Sequence, residues 1–80
     1  MGKAITAMQY QQKLDATNTI ISFMGGLAPR YRAVTMHYLW DALSAMIKRY
    51  GEIFVADCIN RSKTEAELAL FRYGKKGAEA

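Results

Sequence analysis

The chain is poor in the residues from which catalytic and metal sites are built. Its 80 residues hold one cysteine, one histidine, one proline and one tryptophan. The single Cys58 cannot form an internal disulfide, which fits a reducing, cytoplasmic setting. One Cys and one His are too few for a zinc site within one chain. The seven carboxylates are scattered, with no spacing that pairs an acid with a base. His37 stands one helical turn before Asp41, and Ser44 lies further along the same strip. Three such residues on one exposed helix have neither a pocket nor an oxyanion hole. Gly25-Gly26 lacks both the Gly-x-Gly-x-x-Gly spacing and the phosphate-loop lysine. No apolar run approaches the roughly 20 residues of a membrane-spanning helix. The stretch MGKAITAMQYQQK has no apolar segment of signal-peptide length. Internal repeats, low-complexity tracts and linkers are missing too. Together these absences point away from an enzyme, a cofactor or metal protein and a membrane protein, and leave no small-molecule substrate in view.

What the chain does have is apolar surface. Residues of the hydrophobic class make up 51% of it, including five Tyr and three Phe, which is too much for a disordered chain. One domain of this length buries only about 60% of its unfolded surface. The surplus of apolar and aromatic side chains is most simply hidden by a second copy, so a homodimer is expected.

Helix one is expected from about Thr6 to Met24, because Tyr10, Leu14, Thr17, Ile21 and Met24 step by four and three along one face. Gly25-Gly26 reads as its stop. Pro29 suits the first turn of helix two, which is expected from Pro29 to Tyr50 and closed by Gly51. That helix carries two apolar stripes. Met36, Leu39, Leu43, Met46, Ile47 and Tyr50 form the first, with Trp40 at its edge. Tyr31, Val34, Tyr38, Ala42 and Ala45 form the second. A helix apolar on most sides is buried among several neighbours. Glu52 to Arg61 reads as a short helix buried through Phe54, Val55, Cys58 and Ile59. Ser62 or Thr64 caps a last one, Lys63 to Tyr73, buried through Leu68 and Phe71 with Ala66, Leu70 and Tyr73 alongside, and stopped by Gly74. The expected architecture is all-α: a four-helix bundle or orthogonal array over residues 6–73, between flexible segments at 1–5 and 74–80.

The charge balance of +4, from eleven Lys and Arg, draws such a domain to nucleic acid or to an acidic protein, and also lies within the range that merely keeps a surface soluble. Arg30 and Arg32 flank Tyr31, Lys48 and Arg49 precede Tyr50, and Arg61, Lys63, Arg72, Lys75 and Lys76 follow. A helix-turn-helix about Gly51 fits poorly, since the next helix offers only Asp57, Asn60 and Arg61 to bases. The preferred reading is a non-catalytic interaction module: a regulator, adaptor or steric inhibitor. It dimerises or docks on a larger, acidic protein through the second stripe, with Tyr31, Tyr38 and Trp40 as anchors. Arg30, Arg32 and Arg49 form the rim. The alternative is a basic, dimeric nucleic-acid-binding protein. If the other helices surround helix two completely, both stripes are core.

Overall fold

Thr6 opens the first helix with two reciprocal hydrogen bonds. Its Oγ1 accepts from the Gln9 backbone N–H at 3.1 Å, and Gln9 Oε1 accepts from the Thr6 N–H at 3.0 Å. This capping box satisfies donors that the helix itself cannot. The computed structural model describes the backbone of residues 6–79 and the side chains of residues 6–74; the segment 1–5, expected to be flexible, lies outside the described residues. Within them the chain is all-α: α1 (Ala7–Leu27), a 3-10 turn (Ala28–Arg30), α2 (Ala33–Tyr50), α3 (Glu52–Arg61) and α4 (Lys63–Glu79).

The core draws on all four helices. Ala16, Ile20, Phe23, Met24 and Leu27 come from α1, Leu39, Ala42 and Leu43 from α2, Val55, Ala56 and Ile59 from α3, and Ala66 and Leu70 from α4. Met36, Met46, Ile47 and Tyr73 pack around it, half-buried. α3 lies along α1, and α4 lies along α2. Glu52 ties the start of α3 to α1, accepting from the Thr17 hydroxyl at 3.0 Å and pairing with Lys13 at 3.8 Å.

Five expectations need correction. α1 runs through Gly25-Gly26 to Leu27, and the Ala28 N–H bonds to the Met24 carbonyl. Leu27 is 3% exposed, and burying a leucine is worth about 1.5–3 kcal/mol. That offsets the roughly 2 kcal/mol that two mid-helix glycines cost together. Secondly, the buried row of α1 is Ala16, Ile20, Phe23 and Leu27, with Met24 shared between rows. Tyr10, Leu14 and Ile21 face outward. Thirdly, α2 begins at Ala33. Pro29 opens the 3-10 turn instead, and Tyr31 and Arg32 are extended, with ψ of 152° and 160°. Fourthly, α4 passes through Gly74 to Glu79, buried through Ala66 and Leu70, while Leu68 and Phe71 are exposed. Finally, in α3 the buried residues are Val55, Ala56 and Ile59; Phe54 is exposed and Cys58 half-buried.

Gly51 does end α2. Its N–H reaches the Ile47 carbonyl at 2.7 Å, and its φ of 92° with ψ of 155° is a conformation only glycine adopts without strain. Ser62 then caps α4, its Oγ accepting from the Glu65 N–H at 3.3 Å. Gly26 is different: a Cβ there meets nothing within 4 Å, and its φ is not positive. Gly26→Ala should therefore stabilise the chain by about 0.5–1 kcal/mol. A raised midpoint in urea unfolding, with unchanged slope, is the expected result.

Candidate interaction surface

The turn between α1 and α2 is clasped to α4. Arg30 reaches Glu67 with both terminal nitrogens, Nη1 to Oε1 at 3.1 Å and Nη2 to Oε2 at 3.2 Å. The Tyr31 hydroxyl donates to Glu67 Oε2 and accepts from Arg30 Nη2 at 3.4 Å. The Arg30 guanidinium also lies 5.3 Å from the Tyr31 ring centre, and that ring meets Phe71 edge-on at 5.4 Å. Glu67, with only 17% of its side chain exposed, is thus held by two donors across the molecule. Arg30 and Tyr31 are bound into the fold and their freedom to reach a partner is reduced accordingly.

The hydrogen bond to Glu67 pushes the Tyr31 phenol above its usual 10.0, and burial adds to this, against the opposing effect of Arg30. A folded-state value above the unfolded one means the clasp's contribution is complete below about pH 10 and is lost as pH rises through the folded value. Ultraviolet titration should show one tyrosine ionising above pH 10. Glu67→Gln should bring it back toward the ordinary range, and Tyr31→Phe should remove that step.

Phe71 belongs to α4. One turn beyond it, Gly74 packs against α2, and a Cβ built there stands 3.6 Å from Ala42 Cβ and 3.7 Å from the Tyr38 carbonyl. Ala42 of the second stripe is therefore covered by α4. Val34 and Tyr38, on the same flank of α2, remain 61% and 52% exposed. Exposed apolar side chains thus stand on two helices, Val34 and Tyr38 on α2 and Leu68 and Phe71 on α4, with the half-buried Tyr31 against Phe71. Sequence reasoning assigned Phe71 and Leu68 to the core. Their outward position follows from Ala66, Leu70 and Tyr73, an equally well-spaced row, facing inward instead.

The other predicted residues are dispersed. Trp40, 43% exposed, is two residues from Tyr38, and so points about 160° away on the opposite flank. Arg32 is the exposed N-cap residue of α2, beside Val34. Arg49 lies at the far end, its guanidinium 5.6 Å from the Tyr50 ring centre. Tyr50 in turn packs on Phe54 at 5.3 Å, a second exposed aromatic pair.

Little in the remainder suggests chemistry. His37 and Asp41 stand 3.5 Å apart, both widely exposed, and Ser44 donates instead to the Trp40 carbonyl at 2.8 Å. A partly open cavity of about 260 Å³ lies between the helices, walled by Phe23, Leu43, Met46, Val55 and Ile59 with Cys58 alongside. Among the described residues, no three His, Cys, Asp or Glu are placed to hold a metal ion, and no helix is long and apolar enough to cross a membrane. No protein-family model, curated protein or solved structure matches the chain.

Proposed function

We propose that the chain is a non-catalytic interaction module that binds an acidic protein through the Tyr31–Phe71–Tyr38–Val34 surface. The observation that carries the reading is the exposure of Val34, Tyr38, Leu68 and Phe71 beside a fully formed core, with the half-buried Tyr31 against Phe71. Exposed apolar patches mark interaction sites on soluble proteins. Tyrosine offers large contact area with few rotatable bonds, which suits it to anchor a partner. Arg32 at one end and Arg49 at the other supply a cationic rim, which speeds encounter with an acidic surface. A cytoplasmic setting agrees with the lone half-buried thiol of Cys58.

The ion pairs favour a protein over a nucleic acid. Arg30 is held by Glu67, Arg61 by Asp57 at 2.9 Å, and Lys13 by Glu52. Three of the cations that could have neutralised phosphates are thereby engaged within the chain. A photo-crosslinking amino acid placed at position 38, and separately at position 44 on the polar strip, tests the reading in the source cell. The expected result is a discrete protein adduct from position 38 and none from position 44. Equal labelling from both positions, or adducts to nucleic acid, would contradict it.

A further inference from the structure

We propose that a second copy of this chain covers the outer flank of α1, the two helices packing antiparallel about a twofold axis. The flank is the row Tyr10, Leu14, Thr17 and Ile21, whose four- and three-residue steps are those of a coiled-coil seam. The fold turns a different row inward, so Tyr10, Leu14 and Ile21 are left 62%, 41% and 55% exposed. Every residue from Thr6 to Asp15 is exposed, so this half of α1 stands clear of the core and is open to another helix.

Charge and symmetry choose the occupant. The outer edge of the row is Gln11, Asn18 and Gly25, all uncharged, and Lys13 on the inner edge is paired with Glu52. Two copies, each carrying +4, therefore meet here without a like-charge contact. Among the described residues, an acidic partner finds no unpaired cation on this flank. The row is also its own complement. A twofold axis between Leu14 and Thr17 sets Tyr10 of each copy against Ile21 of the other, the mutual pairing of an isologous dimer. Thr17 brings no unpaired donor, since its hydroxyl bonds to the Lys13 carbonyl at 2.9 Å and to Glu52. Gly25, one turn past Ile21, has nothing within 4 Å of a built Cβ. Nothing inside the chain requires glycine there, and its bare backbone lets a second helix approach closely.

This interface uses none of the residues of the Tyr31–Tyr38 surface. Sedimentation equilibrium of the full chain tests it, with Leu14→Glu and Leu14→Lys as variants. Both substitutions fall on an exposed helical position, so circular dichroism should show the same helix content. The wild type should be a dimer at tens of micromolar. Each variant alone should dimerise at least about 100-fold more weakly, through the buried like charges. A mixture of the two should recover a heterodimer, while Tyr38→Ala should dimerise like the wild type. A monomeric wild type, undiminished dimerisation of both variants, or a mixture that stays monomeric would overturn the proposal. None of these outcomes touches cross-linking from position 38, so the two readings fail separately.

Discussion

Leu43→Ala should lower the unfolding free energy by about 3–5 kcal/mol, the upper part of the range for buried leucines. Leu43 is 1% exposed at the centre of α2 and forms part of the wall of the 260 Å³ cavity. Truncation there adds to a space that neighbouring side chains already fail to fill, and the penalty grows with the void left behind. A domain of this length has a total stability of about 4–12 kcal/mol. The variant should therefore lose a large share of it, with a fall in melting temperature on the order of 20 °C. Met8→Ala is the control: Met8 is 71% exposed and should change stability by less than about 0.5 kcal/mol. Equal, small effects at both positions would contradict the assignment of the core.

The second large effect concerns binding. Tyr38→Ala and Phe71→Ala should each weaken association with the cross-linked partner by about 30-fold or more, the loss of a hot-spot aromatic. Phe71 is 36% exposed and Tyr38 52%, so either truncation should leave the chain folded. Arg32→Ala and Arg49→Ala should act differently, slowing association a few-fold and mainly at low salt. Surface plasmon resonance separates the two patterns, because anchors act through dissociation and rim charges through association. Trp40→Ala, on the opposite flank, should leave binding unchanged. If Trp40→Ala abolished binding while Tyr38→Ala did not, the interaction surface would lie on the other side of α2.

The helices were legible in the sequence because local chemistry marks their ends. Thr6, Gly51 and Ser62 act where capping and turn preferences place them. The inward face of α2 was legible, since Leu39 and Leu43 of its first stripe are buried, but which face of α1 and of α4 turns inward was not. On α1, the row Tyr10–Leu14–Thr17–Ile21 and the row Ala16–Ile20–Phe23–Leu27 both keep helical spacing and lie about 100° apart. Periodicity cannot choose between them; the packing of α3 along α1 does. The same holds on α4, where Ala66 and Leu70 prevail over the bulkier Leu68 and Phe71. Gly25-Gly26 misled for a related reason, since burial of Leu27 beyond them carries the helix through. The clasp was beyond reach because Arg30 and Glu67 are 37 residues apart, and nothing local to either names the other. Of the candidate site, Tyr38 and Arg32 are exposed, Tyr31 is half-buried in the clasp, and Trp40 faces the opposite flank of α2.

Solution mass, measured by light scattering on the chain alone and with a random DNA duplex at low salt, tests most directly whether the chain works by protein association. The expected result is a particle of twice the 9.0 kDa chain mass whose mass the duplex does not change. A 9.0 kDa particle that shifts into a complex with the duplex, and is released by added salt, would contradict it.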